Sequence, residues 1–151
     1  MDNAYTVIKN AVIRLLKELD PSVDVFAEEI KRTEDAEQEL NAETYYFIDI
    51  IPTGSITVDR YFTDRSVFID IAYHDKSELN SVYLEKSYQL DQRIRPVFSF
   101  GNRKITVKDA SSKTVDHVLH YSFSISFRDS REETQEYELM GELETIMKKG
   151  E

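Results

Sequence analysis

The sequence predicts an α+β fold, a two-layer domain in which helices pack on a largely antiparallel or mixed β-sheet. Apolar residues recur at helical spacing near the N-terminus, and several later segments alternate between apolar and polar residues. The phrase Phe-Ile-Asp-Ile also occurs twice, at 47–50 and 68–71. The predicted order is α-β-β-β-α-β-β, followed by a C-terminal helix or arm. With 151 residues, we expect one domain spanning 1–151.

The first helix is predicted to begin at Asp2 or Asn3, because short polar side chains there accept hydrogen bonds from the first free N–H groups. It should end before Pro21, which cannot continue a helix. Its apolar stripe faces the core and consists of Val7, Ile8, Ala11, Val12, Leu15, Leu16 and Leu19.

A short strand is predicted within 23–30, and the polar, acidic segment 31–43 is predicted to be a loop. Two strands follow, each carrying one copy of the repeated phrase in an alternating run, at 45–51 and at 65–74. The second strand is predicted to begin near Arg60 and to run to His74. Side chains alternate across a strand, so the isoleucines share one face and Phe and Asp share the other. The Ile face predicts core. The other face carries Phe47, Asp49, Phe68 and Asp70 and is predicted to be a subunit contact. A sheet that is apolar on one face and mixed on the other often has a partner for the second face.

The residues Pro-Thr-Gly-Ser at 52–55 predict a break after the first of these strands. The segment 53–65 is predicted to be a protruding loop or hairpin, a type of element that commonly contacts partners. Its candidate contact residues are Arg60, Tyr61 and Arg65.

The second helix is predicted to begin at Ser77 and to end before Pro96. Phe98 and Phe100 lead into a turn at 101–102, and strands are predicted at 104–108 and 116–127, joined by 110–113. In the last strand large apolar residues alternate with serines, the pattern of a half-buried strand. The acidic C-terminal segment 129–151 is predicted to be a helix or an extended arm.

Charge and composition exclude several classes of protein. The net charge is −10, from 29 acidic and 19 basic residues, which argues against general or sequence-specific nucleic-acid binding. There is no cysteine, so thiol catalysis and disulfides are excluded. No window approaches the roughly 20 apolar residues of a membrane span, and no secretory signal is visible. We therefore expect a soluble protein of the cytosol with no membrane partner.

Asp49 and Asp70 are the first candidates for chemistry. If their strands pair in register, the two carboxylates lie side by side, and such pairs share protons, bind cations or hydrolyse glycosides. Like charges directly opposite each other in neighbouring strands destabilise the pairing of those strands. An offset register or an intervening basic residue is therefore also expected. The spacing of His117 and His120 would place them on opposite faces of one strand, and His120 is expected to be packed or hydrogen-bonded.

No acid, histidine or Gly-rich loop accompanies the two aspartates at a recognisable spacing, and the Gly-x-Ser-x-Gly motif of serine hydrolases is absent. We predict no catalytic, cofactor-binding or metal-binding residue and therefore no enzyme. A small metal-dependent enzyme using Asp49 and Asp70 is the weaker alternative.

Several segments together resemble the phage tail terminator family of Gram-positive phages and phage-like elements. They are the residues 35–38 (Asp-Ala-Glu-Gln), 45–52 (Tyr-Tyr-Phe-Ile-Asp-Ile-Ile-Pro), 60–61 (Arg-Tyr), 66–73 (Ser-Val-Phe-Ile-Asp-Ile-Ala-Tyr), 77–80 and 116–121. The resemblance covers most of the chain and rests on structural patterns. Family members often have a small residue or a cysteine at the entry to the first central strand, where this chain has Glu43, Thr44 and Tyr45.

The resemblance implies a structural virion protein that forms a ring, a homohexamer, on the end of the finished tail tube. Such a ring stops tube polymerisation and presents a surface to the head-side connector or the sheath. The implied partners are other copies of the chain, the tail tube protein and the connector or sheath protein, with no cofactor. The implied location is the tail or neck of the virion, after assembly in the host cytoplasm. Another neck or head-completion protein of similar fold is the alternative.

Overall fold

The computed structural model describes residues 3–27 and 43–130, which form two helices and seven strands. The helices are α1 (Ala4–Leu19) and α2 (Asn80–Ile94). The strands are β1 (Asp24–Phe26), β2 (Tyr45–Thr57), β3 (Phe62–His74), β4 (Val97–Phe100), β5 (Arg103–Thr106), β6 (Ser111–Val115) and β7 (Val118–Ser130). No helix in this described part of the chain is long and apolar enough to span a membrane.

Five strands form one mixed sheet in the order β1-β2-β3-β7-β6. β1 runs parallel to β2, whereas the other neighbours are antiparallel. β4 and β5 form a separate two-stranded hairpin. The predicted α+β class with a largely antiparallel or mixed sheet is therefore confirmed.

The first helix follows its sequence signals closely. The Asn3 side-chain oxygen accepts a hydrogen bond from the Thr6 N–H at 2.9 Å, so Asn3 is the N-cap. The helix ends at Leu19, two residues before Pro21, and its stripe buries Ile8, Val12 and Leu16 completely or almost completely. This apolar stripe is what attaches α1 to the sheet.

The core lies on one face of the sheet, where the two helices and the β4–β5 hairpin cover it. The isoleucines of the repeated phrase lie on this face, and Ile48, Ile69 and Ile71 are at most 1% exposed. The β4–β5 hairpin adds aromatic side chains to this core. The ring of Phe98 packs edge-on against the ring of Phe123, with 5.6 Å between the ring centroids. The prediction that the Ile face forms the core is confirmed.

Residues 52–55 do not end a strand, so that prediction is wrong. β2 continues to Thr57, and the ladder passes from the pair Pro52–Val67 to the pair Gly54–Ser66 with Thr53 as the extra residue. A β-bulge therefore absorbs the Pro-Thr-Gly sequence without breaking the strand. Proline is tolerated there because, within the described residues, β1 pairs with β2 only at positions 45–47.

The second helix begins at Asn80, three residues later than predicted. The Ser77 hydroxyl and N–H both donate to the Asp75 carboxylate, so Ser77 belongs to the preceding turn. Glu78 then has a φ of 53°, which is outside the helical region, and the helix starts only after Leu79.

Two strands after the second helix, β4 of the separate hairpin and β6 of the main sheet, were not predicted. Residues predicted as a connection, 110–113, lie mostly in β6, and the residues leading to the 101–102 turn form β4. β7 begins at Val118, later than predicted, because Asp116 and His117 both have positive φ and form a two-residue hairpin turn. Positions 28–42, including most of the predicted acidic loop, and the predicted C-terminal helix or arm from 131 onwards lie outside the described residues.

Candidate interaction surface

The sheet face opposite the helices, called the outer face below, carries the Phe and Asp residues of the repeated phrase. Phe47 and Asp49 lie on this face of β2, and Phe68 and Asp70 lie on it in β3. Three phenylalanines of this face are half-buried: Phe47, Phe68 and Phe26, which lies opposite Phe47 in β1. No described residue packs over the outer face as the helices pack over the inner one.

The two carboxylates stand directly opposite each other, because the register pairs Asp49 with Asp70. The expected offset in register is therefore wrong. A basic neighbour is present, but on the side of β3 away from Asp49, so it does not intervene between the carboxylates: His120 Nδ1 lies 3.0 Å from Asp70 Oδ2. This contact also confirms that His120 is a hydrogen-bonded strand residue. Asp49 is exposed and has no hydrogen bond or ion pair to any other described residue.

His117 does not share a strand with His120, since it lies in the β6–β7 turn. Among the residues that the structure describes, no group of three or more histidines and acids could hold a metal ion. Asp49 and Asp70 place two negative charges side by side on the surface. Such a pair favours binding of a cationic side chain from a partner.

The β2–β3 hairpin ends in an exposed tip, the residues 56–62. Ile56 is the most exposed large apolar side chain of the tip at 68%, and Val58, Tyr61 and Phe62 are also exposed. The Asp59 carboxylate fixes the turn by accepting hydrogen bonds from the Tyr61 and Phe62 N–H groups at 2.8 and 3.0 Å. The Arg60 guanidinium lies over the Tyr61 ring, 5.4 Å from its centroid.

The bulge at Thr53 determines which way the tip faces. Simple alternation from Asp49 would turn position 56 towards the helices, but the extra residue shifts the phase so that Ile56 pairs with Asp64 on the outer face. Asp64 in turn accepts two hydrogen bonds from the Arg128 guanidinium at 2.9 and 3.3 Å, which lower the pKa of this carboxyl.

Arg65 lies on the helix side of the sheet, unlike the other predicted contact residues. Its guanidinium donates to Asp129 at 2.8 Å, to the Tyr5 hydroxyl at 3.3 Å and to Ser55 at 3.2 Å. The hydrogen bond to Asp129 is the main reason why the pKa of Arg65 is raised. The structure thus groups Phe47, Asp49, Phe68 and Asp70 on the outer face, places Arg60 and Tyr61 at the tip, and separates Arg65 from both.

A second polar cluster on the inner side was not predicted. Lys86 of α2 is 6% exposed and donates to the Asp20 carboxylate, which also accepts from the Tyr46 hydroxyl. The Lys86 ammonium lies 4.8 Å from the centroid of the Tyr73 ring. These residues are far apart in the sequence and carry no common motif, so only the fold could reveal the cluster. It joins the end of α1 to α2 and the sheet.

The comparison with known families decides which protein class has this surface. A family described as phage tail terminator protein matches residues 7–137, which include most of α1 and every other described element. The chain belongs to the phage tail terminator family. No match was found among curated individual proteins.

Phage tail terminator proteins are structural proteins, and the chain is accordingly a structural component of a phage virion tail that interacts with other tail proteins. For a tail terminator protein, an uncovered sheet face and an exposed hairpin are surfaces on which assembly contacts can form. The resemblance to this family predicted from the sequence is confirmed.

Proposed function

We propose that this protein forms a homohexameric ring on the end of the finished tail tube. The ring stops further polymerisation of the tube and presents an attachment surface for the head-side connector or the sheath. The observation that carries this proposal is the family match over most of the chain. Assembly takes place in the host cytoplasm, before the tail joins the head.

The outer face supports the proposal because its composition suits a contact between subunits. Half-buried phenylalanines provide apolar area, and Asp49 and Asp70 provide charges that select a partner of opposite sign. We assign Phe47, Asp49, Phe68 and Asp70 to the subunit interface. We assign Arg60 and Tyr61, an arginine and an aromatic residue at an exposed tip, to contacts with another subunit or the tube.

Arg65 has a different part in the proposal. Its guanidinium is held between Asp129, Tyr5 and Ser55, so it fixes the base of the hairpin and thereby the direction of the tip. The net charge of −10 keeps the free subunits soluble before they assemble.

The test is to measure the mass of the purified chain by light scattering over a range of concentrations, with and without the tail tube protein. We expect a concentration-dependent oligomer with the mass of six chains, and electron micrographs should show rings on the ends of tubes whose length no longer increases. Monomers under all conditions would contradict the proposal. Rings bound to heads but never to tubes would indicate a head-completion protein instead.

A further inference from the structure

A closed ring of more than two copies requires two different surfaces on each subunit, one that projects and one that receives. Such head-to-tail contacts are heterologous, whereas a contact of one surface with itself gives only a dimer. The inference below rests on the proposed ring and identifies these two surfaces.

The receiving surface is the part of the outer face around the two aspartates, called the acidic patch below. It contains Asp49 and Asp70, with Phe47, Phe68 and Ile51 beside them, and Ile51 is 40% exposed. The charged groups near it are His120, which contacts Asp70, and Lys113, which stands opposite His120 in β6 on the side away from Asp70. Neither contacts Asp49.

This arrangement leaves an electrostatic imbalance within one subunit. Carboxylates directly opposite each other in neighbouring strands repel, and a single histidine beside one of them only partly offsets that repulsion. A cation that approaches Asp49 from outside would be attracted by both carboxylates. The apolar side chains around them would exclude water from such a contact and strengthen it.

The projecting surface is the hairpin tip. It combines one guanidinium, Arg60, with the exposed apolar side chains of Tyr61, Ile56 and Phe62. An arginine stacked on an aromatic ring and surrounded by apolar groups is the composition of an interface hot spot. The one carboxylate of the tip, Asp59, accepts hydrogen bonds from the Tyr61 and Phe62 N–H groups within the turn. The group that matches the acidic patch in charge is therefore the Arg60 guanidinium, and the exposed apolar side chains around it match the patch in apolar character.

The tip of a subunit cannot reach its own acidic patch. Asp49 and Thr57 lie on the same strand, and their separation along β2 is about 25 Å at the usual rise per residue. β3 pairs with β2 along this whole length, so the hairpin cannot fold back. The matching patch must therefore belong to another copy.

We infer that the hairpin tip of each subunit docks on the acidic patch of the next copy, with Arg60 placed between or beside the carboxylates of Asp49 and Asp70. The contact is head-to-tail, the type of contact that builds closed rings when its rotation closes. Ile56 contributes to this contact because, beyond the bulge at Thr53, it pairs with Asp64 and lies on the same face as the patch.

Charge exchange tests the inference. The variants are Asp49→Arg, Arg60→Glu and the double variant, each measured by sedimentation over a range of concentrations. Two charge reversals at exposed sites away from both surfaces, Asp109→Arg and Lys104→Glu, are the matched controls. Circular dichroism of every variant establishes that the fold is unchanged.

Each single variant should raise the dissociation constant of the oligomer at least tenfold, and the double variant should recover most of that loss. The controls should stay within twofold of the wild-type protein. The inference is overturned if the single variants assemble normally, or if the two losses add in the double variant. If the single variants assemble normally but no longer bind the tail tube protein, the inference is overturned and the tube is the partner of the tip. In each of these outcomes the wild-type protein still forms the proposed ring, whereas a wild-type protein that never oligomerises would contradict the ring itself.

Discussion

At the scale of single residues, Lys86 shows how the fold holds a charged side chain in its interior. Its ammonium group is almost fully buried, and it is stabilised by Asp20 and by the faces of the Tyr46 and Tyr73 rings. A buried charge depends on its partners, so loss of one member leaves the other without compensation.

We expect Lys86→Met to lower the free energy of unfolding by about 3 kcal/mol, because the Asp20 carboxylate then loses its counter-ion. Urea denaturation of the purified chain measures this. The control is Arg93→Met, which removes an exposed ion pair with Glu18 and should cost less than about 1 kcal/mol. Equal losses in the two variants would show that the Lys86 pair has no special role.

The buried tyrosines make the protein sensitive to alkaline pH. Burial raises the pKa of Tyr46, Tyr73 and Tyr121, and each donates its hydroxyl hydrogen to a carboxylate, which raises the pKa further. The unfolded chain loses these protons near pH 10, at about the ordinary tyrosine pKa, whereas the folded chain keeps them. The contribution of these tyrosines to the free energy of unfolding is therefore fully present below pH 10 and is lost as the pH rises further.

We expect the free energy of unfolding to fall above pH 10 by up to about 1.4 kcal/mol per pH unit for each of these tyrosines. Tyr46→Phe should reduce that slope, and Tyr88→Phe, at a 64% exposed residue, should not. Urea titrations at a series of pH values from 8 to about 11.5 provide the measurement. A slope that is the same in both variants would contradict the assignment.

Single residues were predicted well where the signal was local. Asn3 was expected as an N-cap, and Asp49 and Asp70 were expected side by side if the register allowed it. Arg65 was grouped with the tip residues because it is close to them in sequence. Strand alternation places it on the same face as Ile69 and Ile71, where it donates to Asp129, 64 residues away. Contacts of that range carry no signal in one sequence.

At the scale of secondary-structure elements, α1 and β7 were predicted because their periodic patterns are strong. β6 was missed since all its residues are exposed and polar or short, so it has no apolar alternation to recognise. The sequence Pro-Thr-Gly at 52–54 was predicted to end the strand, because proline and glycine occur both in turns that end strands and at β-bulges within them. The face of residues beyond a bulge cannot be obtained by counting from the start of the strand.

The tight turn between β4 and β5 depends on one glycine. Gly101 has a φ of +60°, and a methyl group added there would also lie 3.5 Å from a methyl carbon of Val7. We expect Gly101→Ala to lower stability by about 1 kcal/mol because alanine is strained in this left-handed conformation. Gly54→Ala is the control, since its added methyl would meet its nearest neighbour, Ser66, at 4.0 Å. Thermal unfolding of both variants distinguishes the effects, and a greater loss for Gly54→Ala would refute the explanation.

At the scale of the whole molecule, the part that folds and the part proposed to assemble are separate. The core lies between the helices and the inner face of the sheet, whereas every residue from Ile51 to Phe62 is exposed. Removal of the tip should therefore affect assembly more than folding.

Replacing residues 56–64, which are the tip and the two residues of β3 after it, by Asn-Gly would join Ser55 to its ladder partner Arg65 through a two-residue turn. We expect this variant to keep its circular dichroism spectrum and cooperative unfolding but to remain monomeric in light scattering. The control is the full-length chain with the exposed substitution Lys104→Glu, purified and measured in the same way. Normal oligomers without the tip would refute its role in assembly, and loss of the cooperative transition would show that the tip is part of the fold.

The bulge at Thr53 has a consequence for how this protein can vary. The pairs on either side of it, Pro52 with Val67 and Gly54 with Ser66, follow one another regularly in β3, so residue 53 is outside the ladder. A chain without that residue keeps the same partners throughout. Loss of residue 53 should therefore change the local curvature of β2 while the buried half of the sheet keeps its register.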